Sequence, residues 1–551
     1  MKNGIVLNKA QYLIDEPILF TLSLDKLPEG ETSVAIYQLY NQIEVTYFKE
    51  WIHLENSKYI LQVRLDSPGI GNYGIMVTVG DFTFEGAFDV VKAHKECIRY
   101  GFLSDFSSQE IDTLDVDYIK DLHLNTVQFY DWMYKHDELI SKKNDYLDPL
   151  GRPTSLETIK KKIEKCLEYG IRPFAYGAVY ASSKELFEKH PMWGLYTEDG
   201  RPLVFFDWLN FMNISEESGW SDYIIHQFSE SVKRLKFMGI HMDTYGFPKN
   251  VHDAFGKNFS LADKFPQLID RASLEVQKIN PDNGVIFNCV NNWPVEKVAC
   301  AKQDAVYIEV WPPHDTYYDL YRLIREARLL SSNQVVLAAY MHPFKEALTD
   351  SDIDRAENAL LLANAVINAS GGTQLVFGEL EGILQDSYYA NYALSRESIK
   401  LKIQNYSDYL VRYADLLYKD EGMDISMTAT SGINEDIQFH SNQVVFSPNG
   451  KEYSVWTMVR EQQNRITIQF LNLSTNNSLW NHPKNKNTEI DDIWIKINLD
   501  RKIKGVFCAS PDNSLKAVEL EAIEEKTSRG KRFNILVPSL LNWSTVWIEM
   551  E

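Results

Sequence analysis

Residues 1–94 alternate short apolar runs with turn signals such as LPEG, DSPGIGN and GD. The runs are rich in β-branched and aromatic residues, which is typical of strands. They read PILFTLSL, SVAIYQLY, IEVTYF, YILQVRLD, YGIMVTVG and FTFEGAFDVV. Short strands at this spacing predict a small β-sandwich at the start of the chain.

The pattern changes between about residue 97 and residue 420, where short apolar runs alternate with amphipathic stretches. This alternation is typical of parallel βα units. The apolar runs cover 98–105, 125–132, 171–180, 239–246, 283–290, 305–311, 333–340 and 372–379. Eight runs with helices between them over roughly 320 residues predict a (β/α)8 TIM barrel, so the fold class is α/β.

Several of the amphipathic stretches have the apolar spacing of helices. Thr154 and Glu157 have the spacing of a capping box, and Gly170 is suited to end the helix that they begin. Helical spacing is also found in 219–239 and 352–372. We therefore expect these segments to lie outside the barrel strands as covering helices.

From about residue 425 the pattern returns to strand-like runs. They read NQVVFSP, YSVWTMVR, RITIQFLNLS, IWIKINL, KGVFCAS, FNILVPS and STVWIEM. These runs predict a C-terminal antiparallel β-sandwich. The changes in pattern predict three domains, 1–95, 96–422 and 423–551.

Composition and charge narrow the class of partner. The 551 residues are 44% hydrophobic and 24% charged, as in ordinary globular proteins, and the net charge is −21. This charge argues against nucleic acid and anionic membrane as main partners and suits a neutral substrate. No apolar run of about 20 residues is found, so no membrane span is expected. The start has no secretion-signal pattern, so we expect a cytoplasmic protein, although a chain trimmed of its signal would look similar.

No cofactor or metal is expected from the motifs. The five cysteines are scattered without metal-ligand spacing, and we interpret them as buried reduced thiols. No G-x-G-x-x-G or Walker sequence follows a predicted strand, and no G-x-S-x-G elbow occurs. The tripeptide from His241 to Asp243 could be a metal pair, but metal barrels usually gather several histidines, which this chain does not cluster.

Carboxylates stand at the ends of two predicted barrel strands, where barrel enzymes place their catalytic groups. The two-residue period of a strand puts His241, Asp243 and Tyr245 on one face. It likewise aligns Glu309 with Trp311 on the sixth strand. A buried carboxylate must be paired, protonated or used. Two such groups suit glycoside hydrolysis, although each could also be a structural hydrogen-bond acceptor.

Aromatic residues accompany these strand ends. Tyr176 ends the third predicted strand, and Trp311 precedes Pro312-Pro313 at a junction between strand and loop. Such rings could pack in the core or offer a flat platform to a sugar. Aromatic residues make up 13% of the chain, which fits either interpretation.

Five segments resemble glycoside hydrolase family 66, which contains endo-dextranases and cycloisomaltooligosaccharide glucanotransferases. They read RYGFLSDF, NTVQFYDWMYKHD, GIHMDTYG, VYIEVWP and LVFGELEG. The resemblance covers most of the predicted barrel, and the second segment is specific. It implies an immunoglobulin-like domain, a barrel, a C-terminal β-sandwich, and retaining cleavage of α-1,6-glucans such as dextran or isomaltooligosaccharides.

The resemblance also implies roles for individual residues. Asp243 would be the nucleophile and Glu309 the acid/base, while Asp131, Tyr134 and Glu379 would contact the sugar near the cleavage site. The complete predicted substrate-binding set is Asp131, Tyr134, Tyr176, His241, Tyr245, Trp311 and Glu379. A retaining pair should have its carboxyl groups about 5–5.5 Å apart. The pKa of Glu309 should be raised by apolar and like-charged surroundings.

The chain departs from the family pattern in two places. The segment DTYGFPKN places Tyr245 where family members commonly have an aliphatic residue. Transferase members carry a carbohydrate-binding module inserted in the barrel, and the longest segment between predicted strands, 181–238, leaves no room for one. Hydrolysis is therefore expected over cyclisation, while a transglycosylase with the same site stays an open alternative. A non-catalytic glucan-binding protein is disfavoured because both carboxylates are present.

Overall fold

The computed structural model describes residues 4–54, 58–527 and 530–551. Its N-terminal part forms two facing sheets, ordered β1-β3-β7-β6 and β2-β9-β8-β4-β5. The strands are β1 (Gly4–Leu7), β2 (Tyr12–Leu13), β3 (Ile18–Leu24), β4 (Thr32–Gln38), β5 (Asn41–Phe48), β6 (Ile52–His53), β7 (Tyr59–Leu65), β8 (Gly71–Val79) and β9 (Phe82–Val91). Alternate residues such as Leu22 and Val34 meet in one buried core, as the two-residue period of strands requires.

The middle of the chain contains the barrel. Its strands are β10 (Tyr100–Leu103), β11 (Thr126–Phe129), β12 (Asp145–Leu147), β13 (Pro153–Ser155), β14 (Arg172–Ala178), β15 (Ala181–Ser183), β16 (Val204–Phe205), β17 (Leu209–Phe211), β18 (Gly239–Asp243), β19 (Asn250–His252), β20 (Asn258–Ser260), β21 (Gly284–Val290), β22 (Ala305–Glu309), β23 (Gln334–Ala338), β24 (Thr373–Gln374), β25 (Gly382–Ile383) and β26 (Ala393–Leu394). Eight of them pair in parallel in the order β10-β11-β14-β18-β21-β22-β23-β24. The predicted eight parallel strands are confirmed, each within one of the apolar runs.

The barrel is nearly closed between its first and last strands. A parallel bridge joins Phe102 to Gly378 just beyond β24. A Cβ at Gly378 would lie 2.4 Å from the Phe102 carbonyl oxygen, so this approach requires glycine. The Glu379 carboxylate accepts hydrogen bonds from the Ser104 backbone N–H at 2.9 Å and from its hydroxyl at 2.7 Å. The Glu379 side chain therefore joins the first and last strands of the barrel just beyond the point where their backbone pairing ends.

Helices pack around the barrel and between it and the flanking sheets. They are α1 (Leu114–Asp121), α2 (Leu156–Glu168), α3 (Lys184–Lys189), α4 (Gly219–Leu235), α5 (Phe265–Gln277), α6 (Val295–Val298), α7 (Tyr317–Leu330), α8 (His342–Glu346), α9 (Asp350–Ala369), α10 (Glu397–Arg412) and α11 (Ser426–Thr430). Short 3-10 turns cover Pro191–Trp193, Leu261–Asp263, Glu379–Glu381 and Ala414–Leu416. Helix α9 is buried on nearly all sides because it lies between the barrel and the C-terminal sheet.

Helix α2 corrects one local prediction and confirms another. The capping box at Thr154 is wrong, because the helix begins one residue later, after Ser155, and neither side chain caps it. Asn144, from an earlier loop, accepts the Glu157 N–H through its side-chain oxygen instead. At the other end Gly170 has φ 70°, and the N–H groups of residues 170 and 171 bond back to the last helical turn. This is the Schellman ending that its glycine predicts.

The C-terminal part forms a seven-stranded sheet and a four-stranded sheet. Its strands are β27 (Met423–Asp424), β28 (Ile437–His440), β29 (Phe446–Ser447), β30 (Val455–Gln462), β31 (Arg465–Asn472), β32 (Ile493–Asn498), β33 (Ile503–Ala509), β34 (Val518–Glu519), β35 (Ala522–Thr527), β36 (Gly530–Val537) and β37 (Trp543–Met550). The larger sheet runs β27-β30-β31-β37-β33-β34 with β29 beside β30, and the smaller runs β28-β32-β36-β35. Apolar residues of both sheets share one core.

Buried contacts connect the flanking sheets to the barrel. Arg99, beside β10, pairs with Asp89 of the N-terminal sheet at 3.0 Å, and both side chains are almost fully buried. On the opposite side the Trp480 indole N–H donates to the His314 carbonyl oxygen at 2.7 Å. That contact places a C-terminal loop against the segment that follows β22, the strand that ends at Glu309.

The cysteines are all free, as expected, but the prediction that all are buried is wrong. Cys166, Cys289 and Cys508 are buried, Cys97 is partly buried and Cys300 is exposed. Cys300 lies in the turn after α6, where the helix ends at the surface. Across the described ranges, none of the helices has the length and apolar character that crossing a membrane requires.

Candidate active site

A cavity of about 700 Å³, here called the central cavity, opens at the carboxyl ends of the barrel strands. This is the face on which barrel enzymes carry their active sites. Six of the sequence-predicted site residues line it together: Tyr176, His241, Asp243, Tyr245, Glu309 and Trp311. Residues from three different strands or their loops therefore converge, although they are widely separated in sequence.

The two predicted catalytic carboxylates lie at the ends of two barrel strands that are separated by one strand. Asp243 is the last residue of β18 and Glu309 the last of β22, with β21 paired between them. Asn288 on β21 joins them, because its amide nitrogen donates to Asp243 Oδ1 at 2.7 Å and to Glu309 Oε2 at 3.0 Å. The two oxygens that share this nitrogen are therefore at most about 5.7 Å apart.

Each carboxylate has a second donor from a tyrosine. The Tyr176 hydroxyl donates to Asp243 Oδ2 at 2.7 Å, and the Tyr340 hydroxyl donates to Glu309 Oε1 at 2.8 Å. Both tyrosines lie on flanking strands or just beyond them, so the hydrogen bonds fix each carboxylate from two sides. Charge-assisted hydrogen bonds of this length are among the strong ones in proteins.

Burial dominates the electrostatics of the pair. Burial first, and then the nearby negative charge of Glu309, raise the pKa of Asp243 to about 7 against the opposing hydrogen bonds. Burial also raises the pKa of Glu309, while the hydrogen bonds from Asn288 and Tyr340 act in the opposite direction. Two adjacent carboxyl groups with raised pKa values can share one proton near neutral pH. The pair can then offer one acid and one nucleophile at once.

His241 lies beneath the carboxylates and is suited to a structural hydrogen bond. Its Nδ1 lies 2.9 Å from the Tyr100 hydroxyl, and burial lowers the pKa of His241 to about 3. The imidazole is therefore neutral at physiological pH. In the part of the chain that the structure describes, no cluster of three or more histidine, cysteine or acidic side chains could hold a metal ion.

Aromatic rings form much of the cavity wall. Tyr245 stacks on Phe205 with ring centroids 4.3 Å apart and planes 7° from parallel. Trp311 meets Tyr340 edge to face at 5.9 Å. Tyr245 thus anchors the neighbouring β16–β17 hairpin beside Asp243.

Three predicted site residues are not among those lining the central cavity. Tyr134 lines a smaller adjacent cavity of about 290 Å³, here called the side cavity. Asp131 is buried with φ 51°, and burial raises its pKa to about 7 against the nearby positive charge of Arg152. Glu379 is buried against Ser104 in the barrel closure. Their contact with substrate stays a prediction.

Asn288 and Tyr340 both contact the carboxylates but are not among the site residues predicted from the sequence. One signal was present for Asn288, since it occupies the same face as Ile286 and Val290 in an otherwise apolar run. A polar residue at such an inward position needs a partner. Tyr340 follows the seventh strand, where strand-end position alone does not separate it from other aromatic residues.

A parallel barrel with a buried, bridged carboxylate pair and aromatic walls at its carboxyl face defines the class of barrel glycoside hydrolases. The sequence model of glycosyl hydrolase family 66 matches residues 8–547. The chain therefore belongs to glycosyl hydrolase family 66.

Curated relatives and solved structures agree with this assignment. A cycloisomaltooligosaccharide glucanotransferase of Niallia circulans is 23% identical over 91% of this chain and 68% of its own length. A dextranase of Streptococcus salivarius is 22% identical over 79% of this chain and 60% of its own. The fold is shared with a Paenibacillus cycloisomaltooligosaccharide glucanotransferase solved with cycloisomaltoheptaose, at TM-score 0.91, 20% identity and 99% coverage of both chains.

Proposed function

We propose that this protein is a retaining hydrolase that cleaves α-1,6-glucosidic linkages of dextran or isomaltooligosaccharides. The observation that carries the proposal is the Asn288 bridge between Asp243 and Glu309. Carboxyl groups of inverting enzymes lie about 6.5–9.5 Å apart to admit a water, whereas those of retaining enzymes lie about 5–5.5 Å apart. The upper limit of about 5.7 Å between the two bridged oxygens favours the retaining geometry.

In the proposed first step, Asp243 attacks the anomeric carbon and forms a bond through a carboxylate oxygen. The bond from that carbon to the glycosidic oxygen breaks, and the leaving oxygen takes the proton of Glu309. In the second step, Glu309 removes a proton from water, whose oxygen attacks the same carbon and releases Asp243. The net configuration is retained because each step inverts it once.

The substrate proposal depends on the relatives and on the cavity. The named relatives are dextranases and cycloisomaltooligosaccharide glucanotransferases, and the central cavity is lined by aromatic rings with few charges beyond the carboxylate pair. Such a lining suits the neutral, two-faced ring of a pyranose. We propose the same role in substrate contact for Tyr176, Tyr245 and Trp311.

Transglycosylation with the same site is the second candidate. The alignment with the Niallia transferase spans 670 positions, which exceeds the whole 551-residue chain, so that enzyme has segments without a counterpart here. Length does not separate the two reactions, because the solved Paenibacillus transferase is covered over 99% of its chain and the dextranase over only 60% of its own. Product sizing from a long α-1,6-glucan separates the two reactions.

We further propose the domain arrangement 1–95, 96–422 and 423–551, with an immunoglobulin-like sandwich first and an antiparallel sandwich last. The two pairs of facing sheets with their separate cores support this division. The buried Arg99–Asp89 pair favours a supporting role for the N-terminal unit.

The decisive experiment is product analysis on dextran and short isomaltooligosaccharides, with the first-formed anomer identified by NMR. The wild-type chain should release the α-anomer first, and Asp243→Ala should abolish cleavage. Asp253→Ala is the matched control, since Asp253 lies on the neighbouring β19–β20 hairpin and outside the central cavity. First release of the β-anomer, or cleavage by Asp243→Ala, contradicts the mechanism.

A further inference from the structure

The β16–β17 hairpin carries a cluster of aromatic residues between the central cavity and the side cavity. Its tip, residues 205–208, reads FFDW and is here called the aromatic tip. Phe205 and Phe206 line the central cavity, whereas Trp208 lines the side cavity. A second short segment also contributes to both cavities, since Leu150 lines the central cavity and Leu147 lines the side cavity. The two cavities are therefore neighbours separated by this hairpin.

The aromatic tip holds apolar rings in solvent. Phe206 is 76% exposed and Trp208 is 41% exposed. Phe206 and Asp207 both have positive φ, 49° and 61°, although neither is glycine. A tight hairpin turn itself calls for residues with positive φ, so the backbone of the tip is explained by the turn. The exposed aromatic rings are the feature that the turn does not explain.

The tip is fixed in place by packing on the catalytic loop. Phe205 stacks on Tyr245, two residues after Asp243, and Phe206 packs on Phe205 at 4.3 Å between ring centroids. The exposed rings therefore have a defined position relative to the carboxylates. Leu147, Leu150 and Phe247 are also exposed around this rim, which makes it a patch of apolar surface. Patches of this kind mark binding sites.

The side cavity contains polar groups that suit a neutral hydroxylated ligand. The His136 ring lies 5.7 Å from that of Trp208, and His136 is 7% exposed. Its Nδ1 has no hydrogen-bond partner among the described residues, and burial lowers the pKa of His136 to about 4. The Asp137 carboxylate is already engaged by the Ser183 hydroxyl and backbone N–H. The wall of the side cavity therefore contains a neutral imidazole ring, and the Asp137 carboxylate in it is already hydrogen-bonded.

We propose that the side cavity is a further subsite for a hexopyranosyl unit of the substrate chain, reached across the aromatic tip. Phe206 and Trp208 contact sugar rings on the two sides of the tip, through the apolar ring faces that carry C–H groups. This subsite rests on the proposed function for the identity of its ligand, and it makes the hairpin a determinant of preferred chain length.

The test compares kcat/KM on isomaltooligosaccharides of increasing length for wild type, Trp208→Ala and Trp208→Phe. Loss of one aromatic contact of about 0.5–1.5 kcal/mol should lower the ratio of long-chain to short-chain kcat/KM roughly two- to tenfold, mainly through KM. Trp208→Phe should restore most of the ratio. Phe255→Ala is the matched control, because Phe255 is 83% exposed on the neighbouring hairpin and lines neither cavity.

Equal loss at every chain length, no loss at any length, or the same effect in Phe255→Ala overturns the subsite. Titration calorimetry of the full chain with the same oligosaccharides separates this result from the proposed function. If wild type binds long chains more tightly than Trp208→Ala but cleaves none, the subsite stands and the hydrolase proposal fails. If Trp208→Ala and wild type bind all lengths equally, the subsite fails whatever the activity.

Discussion

Replacing Asp243 by asparagine should make the protein less sensitive to rising pH, even as it removes activity. Burial raises the pKa of Asp243 to about 7 in the folded state, from an ordinary value of 3.8. The unfolded chain therefore releases this proton at lower pH than the folded chain does. A raised carboxyl pKa contributes stability that is full below about pH 4 and is lost as the pH rises through about 7. Asparagine has no proton to lose.

The structure sets the size of this effect. A shift of about three pKa units corresponds to about 4 kcal/mol at 1.36 kcal/mol per unit. Asp243 faces the central cavity and is partly accessible to solvent, so screening reduces the expected value to about 2 kcal/mol. The stability of Asp243→Asn relative to wild type should rise by this amount between pH 4 and pH 8.

Urea unfolding at a series of pH values measures this difference directly. In Asp243→Asn the hydrogen bonds from Tyr176 and Asn288 go to an amide instead of a carboxyl group. This changes the free energy of unfolding at pH 4 and at pH 8 alike, so it cancels when the two values are compared. Glu309→Gln should change in the same direction, since burial also raises the pKa of Glu309. A stability difference between Asp243→Asn and wild type that stays constant from pH 4 to pH 8 would refute the reasoning.

Three other substitutions follow from the site. Asn288→Ala removes the shared donor, so kcat should fall about tenfold or more with little change in KM, and the pH–rate profile should move upward; an unchanged profile contradicts this. Tyr340→Phe removes a hydrogen bond to Glu309 and should move mainly one limb of the profile upward, by about one pH unit or less, in the same assay. Glu379→Ala leaves the Ser104 N–H and hydroxyl without their acceptor and should cost about 1–3 kcal/mol in urea unfolding, whereas a loss below about 0.5 kcal/mol contradicts its role in the barrel closure.

The barrel could be predicted from the sequence because its strands are buried on both faces. Such strands form short, continuous apolar runs, and the runs ending at Asp243 and Glu309 stop at a polar or turn-forming segment. Parallel pairing then places every strand end on one face, so the two carboxylates could be brought together without coordinates. The long amphipathic helices could be predicted as well, because the spacing of their apolar residues is a local property of the sequence.

Other features depend on contacts that local sequence does not encode. The start of α2 is satisfied by Asn144, which is distant in sequence from the helix, so the capping box at Thr154 had no structural basis. Glu379 ends an apolar run, which is where barrel enzymes place catalytic residues. In the structure its carboxylate accepts the Ser104 N–H, at the point where the pairing of the first and last strands stops. The aromatic tip has no glycine to signal its left-handed turn.

The choice of asparagine between the two carboxylates has a physical reason. A lysine or arginine at position 288 would stabilise both carboxylates as anions, and the pair would then lack the proton that the leaving oxygen needs. An apolar residue would leave two buried oxygens without their donor and raise both pKa values further. The neutral amide of Asn288 fixes the spacing of Asp243 and Glu309 while leaving their repulsion largely uncompensated. Burial, together with that repulsion at Asp243, keeps both pKa values raised, so Asn288 fixes the distance without removing the proton that the proposed double-displacement mechanism uses.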